Sequence, residues 1–464
     1  HNAGRGVYRA SSSGYGSMSL TTSNVWGNNG SVGAGGENSA SNNFYNFSSD
    51  LSLNSTSNRS FNPLYVDAAN NDFRLTHRSP SRKSGASGVD QGALAYTTDQ
   101  TATLQGEFWD NATLSGANTV VGDLLVGPCG TVTLSPGATL TFAASDGLGG
   151  SSASQGEVIV WGTLSAVGVS GSPITLTSSG TGTAAWGGVN VRPGGAATLA
   201  NAAVSKMGLG LQGFLGGSGT TTSLTVSNTT ISGSDYGVVN AAVTSGGSLT
   251  TTLTGLTITA DTGLSATAGT MIGQALSVSG GSYGLHQSGG GTVQLERAAF
   301  TGNSYGLYLN TAGTTSCDRC TIAYNTSYGI YEYSYSTGTA HTTTVVSSII
   351  SHNAGRGVYR ASSSGYGSMG VTYSNIWGNN GSVGSGSENS ASNNFYNYST
   401  TLVSPPATAS PYNISANPLY ADATMSNYSL QSTSPSRGAG ASGVDQGAFP
   451  YSVGAVATVT VSPA

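Results

Sequence analysis

The sequence predicts an all-β solenoid, a right-handed parallel β-helix present in tandem copies. Three observations carry that expectation. Apolar residues recur at a spacing of roughly 20–28 residues, the length of one solenoid turn. A Gly followed by an aliphatic residue comes a few positions after most of them. A long stretch of the chain returns almost unchanged far downstream.

The apolar anchors are Ile231, Ile258, Val278, Phe300, Ile322, Ile350 and Ile376. The pairs that follow are Gly237-Val238, Gly263-Leu264, Gly284-Leu285, Gly306-Leu307, Gly329-Ile330 and Gly357-Val358. On short alternating strands each coil would send a few aliphatic side chains inward. One coil cannot bury them alone, but stacked coils can, at ~4.8 Å per rung. Each buried aliphatic then contributes on the order of 1.5–3 kcal/mol. The Gly is expected to supply an unusual backbone angle at a bend. A leucine-rich repeat lacks its frame here, helical repeats lack their Ala/Leu/Glu/Lys periodicity, and propeller blades are longer. A β-sandwich array is the remaining competitor.

The long repeat organises the chain. His1–Met18 returns unchanged as His352–Met369, Asn42–Asn46 as Asn393–Asn397, Asn62–Tyr65 as Asn417–Tyr420, and Ser87–Ala93 as Ser442–Ala448. Residues 1–96 are therefore expected to be the last coils and tail of one unit. Residues 97–106 read as a polar linker, 107–451 as a complete unit with its tail, and 452–464 as the start of a further linker or domain. The chain opens without Met inside a repeat, as a piece cut from a longer protein would.

Composition narrows the function. Charged residues are only 7% of the 464 and hydrophobic residues 37%, with Gly, Ser, Thr and Asn filling the gap. Such a chain could be disordered, but the fixed apolar spacing argues otherwise. Net charge is −5, and Lys83 and Lys206 are the two lysines, so no basic stripe exists for nucleic acid. No apolar run approaches the roughly 20 residues of a membrane span. No cofactor or metal is expected; Asp67, Asn70, Asn71 and Asp72 resemble a loose calcium loop but lack the regular alternation of a strong motif. Cys317 and Cys320 form a Cys-x-x-Cys without the second pair or clustered His of a zinc site. They are candidates for a local disulfide, with two free thiols the other reading.

Val120–Val126, Val132–Phe142, Gly162-Thr-Leu, Pro173–Ser178 and Trp186–Gly195 resemble the opening coils of bacterial secreted or cell-surface right-handed parallel β-helix proteins. Asn62–Asp67, Asp72–Leu75, Ser79-Pro80 and Asp90–Gly92 are similar to their choice-of-anchor-type tails. Where that family often has an acidic residue after Ser-Pro, this chain has Ser81-Arg82-Lys83 and Ser436-Arg437. The resemblance implies an extracellular or bacterial cell-surface location. The tandem copies point to neighbouring repeats as partners, with self-association into fibres through an unpaired edge and polysaccharide as further ones.

Parallel β-helices that act on polysaccharides need paired carboxyls or a base with charge stabilisation. The weak catalytic candidates are Asp235 and Asp261, each two residues before its Gly. Their plainer reading is turn residues. Asp318-Arg319 reads as a surface ion pair, and Glu332 with Arg360 as a salt bridge between coils. Aromatic residues make the better column. Tyr236, Tyr283, Tyr305 and Tyr328 immediately precede the Gly, and His286, Tyr308, Tyr331 and Tyr359 follow two residues after it. If the intervening aliphatic points inward, the next side chain points out. Tyr283, Tyr305, Tyr308, Tyr328, Tyr331 and Tyr359 are thus candidate binding residues, a platform for sugar rings. The other reading is a ladder in which the rings stack on one another. The sequence favours a non-enzymatic structural or adhesive module of a large surface or fibre protein. Carbohydrate binding through the Tyr stripe, or a polysaccharide lyase or glycoside hydrolase, are the alternatives.

Overall fold

The computed structural model describes residues 2–3, 5–8, 20–32, 40–45, 58–70, 72–94, 104–146, 148, 154–310, 312–334, 341–362, 368–397 and 413–452. Asn71, the linker positions 97–103 and residues 453–464 lie outside these. The fold is all-β, a right-handed parallel β-helix. The chain forms two compact units, His1–Val239 with Val243–Leu249, and Asn240–Ala242 with Thr250–Ala464.

In the first unit, three runs of parallel strands wind around an apolar interior. Register stacks Val126, Val160 and Val191 in one column and Leu134, Ala166, Leu199 and Val226 in a second. Leu140, Leu176 and Val204 form a third. Nearly all of these are inaccessible to solvent. Phe142 and Trp186 stack inside at 4.3 Å, with planes 10° apart. The first strand of this stack is Leu104–Phe108, paired parallel with Ala117–Val126, so regular structure begins inside the segment read as a linker. The tail before it supplies the antiparallel pair Tyr65–Asp67 and Asp72–Leu75 and packs in the same unit. Compact units and sequence repeats therefore divide the chain at different places.

In the second unit, the anchors Ile258, Val278, Phe300, Ile322, Ile350 and Ile376 fall into one register column, as their spacing predicted. The aliphatics after each Gly form another: Leu264, Leu285, Leu307, Ile330 and Val358. The third column runs Leu253, Gly273, Leu295, Cys317, Val345 and Val371.

The role expected for the Gly residues needs correction. Gly263, Gly284, Gly306, Gly329 and Gly357 do not have positive φ; they sit in or beside extended strands. They are Gly because of close approach. A Cβ on Gly306 would stand 2.6 Å from the Gly329 carbonyl oxygen and 2.6 Å from the Ile322 side chain. The left-handed corners lie elsewhere and accept side chains. One set is Ala275, Arg297, Arg319, Ser347 and Tyr373, and the other is Gly280, Gly302, Tyr324, His352 and Gly378.

Behind that second corner runs a ladder of buried asparagines. The side-chain oxygen of Asn325 accepts from the backbone N–H of Asn303 at 3.1 Å. Asn353 accepts from both the backbone and side-chain nitrogens of Asn325, at 3.0 and 2.8 Å. Asn379 accepts likewise from Asn353, and Asn394 from Asn379. Each rung's amide also donates to a carbonyl, as Asn353 does to Ile322 at 3.1 Å. The first copy repeats the end of this ladder through Asn2, Asn28 and Asn43. Buried amides paired on all sides hold the coils in one register.

Candidate functional site

The candidate site is the outward aromatic column of the second unit. Leu285, Leu307, Ile330 and Val358 point inward, wholly out of solvent, and alternation turns the next residue out. His286, Tyr308, Tyr331 and Tyr359 are register partners on successive coils, each half-buried. Tyr308 stacks on Tyr331 at 5.2 Å and 11°, and Tyr331 on Tyr359 at 5.4 Å and 15°. Tyr359 stacks on Tyr396 at 5.0 Å and 11°. Beside them Tyr283, Tyr305 and Tyr328 form a second stack at 5.6 and 6.0 Å. The two columns interlock, Tyr305 standing edge-on to Tyr308 at 5.3 Å and 81°. The Arg356 guanidinium covers the far end, 4.8 Å from the Tyr396 ring centre. Tyr396 is a member that the Gly-based pattern could not reveal, because no Gly precedes it by two residues.

The geometry decides what these rings offer. Parallel rings so close cannot lie side by side in one plane, since a ring is about 6–7 Å across with its hydrogens; they overlap in offset stacks. Each ring's face is partly covered by the next ring of its column. Burial, with the neighbouring tyrosines Tyr308 and Tyr359 next, pushes the Tyr331 phenol up to about 12.

The polar candidates are each engaged by neighbouring residues. Asp235, in the first unit, accepts from the Thr183 hydroxyl. Asp261, in the second, accepts from the Ser282 hydroxyl at 2.6 Å and its backbone N–H at 3.3 Å. Both act as coil-to-coil ties. Arg319 bonds Asp318 at 3.1 Å and also pairs with Glu296 on the preceding coil. Glu332 and Arg360 do form the expected salt bridge, at 3.1 Å, but inside the coil, with 2% and 0% of each side chain exposed. Burial raises the Glu332 carboxyl, and Arg360 opposes that. Cys317 and Cys320 are free and buried rather than joined in a disulfide. Cys317 fills an apolar rung position between Leu295 and Val345. The hydrogen bond its S–H gives to Cys320, together with burial, raises the Cys317 thiol well above the usual range. Among the described residues no three His, Cys, Asp or Glu side chains gather as metal ligands.

One cluster escaped the sequence reading. In the first unit Asp123 accepts from the Glu157 backbone N–H at 2.7 Å, and Glu157 accepts from the Asn190 amide at 2.6 Å. Asp123 and Glu157 are wholly buried. Burial raises the Asp123 carboxyl far above its usual range, with Asp146 and Glu157 adding to it and Arg192 opposing. The signal was present as Gly122-Asp-Leu-Leu-Val126 and Gly156-Glu-Val-Ile-Val160, the same pattern on two neighbouring coils. Carboxyls so enclosed present no face to a polymeric substrate.

Residues 241–397 match the sequence family described as right-handed beta helix region. No curated protein and no solved structure matches the chain.

Proposed function

We propose that this chain is a non-enzymatic structural module of a large extracellular tandem-repeat protein at a bacterial cell surface. The observation that carries the reading is the stacking of Tyr308, Tyr331, Tyr359 and Tyr396 with their faces turned to one another. An aromatic column so arranged joins coil to coil, where a sugar platform would hold its ring faces open. The internal duplication, the low charge and the enclosed carboxyls support the same reading.

Incubating the full chain with acidic and neutral polysaccharides tests it. Pull-down and the release of reducing or unsaturated ends are read from the same tubes, and neither is expected. Binding that disappears with Tyr308→Ala or Tyr331→Ala would make the column an adhesive surface for carbohydrate. Turnover abolished by Asp235→Asn, Asp261→Asn or Glu157→Gln would make the protein an enzyme.

A further inference from the structure

The two copies of the tail share a backbone but differ where the first copy meets the coil that follows it. Arg59 and Ile414 occupy the same place: each forms a parallel bridge, to Asn24 and Asn375 respectively. Each accepts the next backbone N–H, from Val25 at 2.9 Å and from Ile376 at 3.0 Å. Asn62 and Asn417 close the same turn onto Leu64 and Leu419, both at 3.0 Å. In the first copy the Arg59 guanidinium reaches the buried Glu107 carboxylate at 2.5 Å. It also lies 5.5 and 5.3 Å from the ring centres of Trp109 and Trp161. Phe61 packs with Leu125, Leu148 and Ile159. Arg78 covers the Phe108 ring at 4.6 Å, and its carbonyl accepts from the Glu107 N–H at 2.7 Å. The second copy aligns Ile414, Ala416 and Thr433 with Arg59, Phe61 and Arg78.

We propose that the tail is a coupling element that recognises the opening strand of a following β-helix unit. Arg59 and Arg78 read Glu107, Phe108 and Trp109, and Phe61 packs on Leu125, Leu148 and Ile159 of the coils that follow, while the second tail lacks all three side chains and does not clamp an opening strand of this kind. A charge pair beside two indoles is specific because removing Arg59 leaves the wholly buried Glu107 carboxyl without its cation. Backbone bonds alone, which both tails can make, carry no such selectivity.

The test uses the full chain with a site-specific protease sequence replacing residues 97–103. After nicking, 1–96 and 104–464 should elute together from a sizing column. In a chain carrying Arg59→Ile, Phe61→Ala and Arg78→Thr, the second tail's residues, they should separate, with affinity at least about 100-fold weaker. Glu107→Gln, which leaves the tail untouched, should weaken the pair in the same direction and decides the matter if the triple variant misfolds. Melting of the 104–464 fragment must match the parent in each case. Fragments of the parent that part on nicking, or swapped fragments that bind as tightly as the parent's, would overturn the proposal.

Discussion

At the residue scale, the load falls on side chains that serve two neighbours at once. Asn353 accepts from Asn325 and donates to Asn379 and to the Ile322 carbonyl, so its removal orphans groups above and below. Asn353→Ala should cost about 2–4 kcal/mol, since each buried polar group left without a partner costs about 1–3. Asn111→Ala, at an exposed position with no left-handed backbone angle, should cost under about 0.5. Chemical denaturation of the two variants checks this; equal losses would mean the ladder is incidental. The ladder was readable in principle, because Asn303, Asn325, Asn353 and Asn379 each stand three residues after an apolar anchor. It was hidden by composition: in a chain this rich in Asn, one more does not announce itself until the register places it over its neighbours.

At the scale of the coil, the interior is not uniformly apolar. Where Leu309 stands on one coil, Glu332 and Arg360 take its place on the next two. Breaking that pair with Arg360→Met should cost about 3–5 kcal/mol, because it leaves a buried carboxylate unpaired. Replacing both, with Glu332→Leu and Arg360→Met, should recover most of the loss. A double-mutant cycle by thermal unfolding reads both terms, and purely additive losses would contradict the account. The pairing was legible from the shared phase of the two residues. Its burial was not, because strand alternation assigns inside and outside only once the first inward residue is known. The Gly residues show the reverse. Their positions were legible, but their reason was close approach to the anchor and the Asn behind it rather than a corner angle.

At the scale of the whole molecule, the same construction recurs in both units: parallel coils, apolar columns inside, and a tail of one design used twice. The fold class was plain from spacing because a solenoid repeats its demands on every turn. The site was half legible. Alternation put the tyrosines on one outward face, but spacing holds no information on the tilt of a ring, and tilt separates a sugar platform from a ladder. The account stands on that tilt, and thermal unfolding of Tyr331→Phe and Tyr331→Ala tests it most directly. Phenylalanine keeps both stacks and should melt within about 1–2 °C of the parent, whereas alanine opens a gap between Tyr308 and Tyr359 and should cost about 1–3 kcal/mol. An alanine variant that melts with the parent, while a polysaccharide the parent retains is no longer bound, would show that the column serves a ligand rather than the coil.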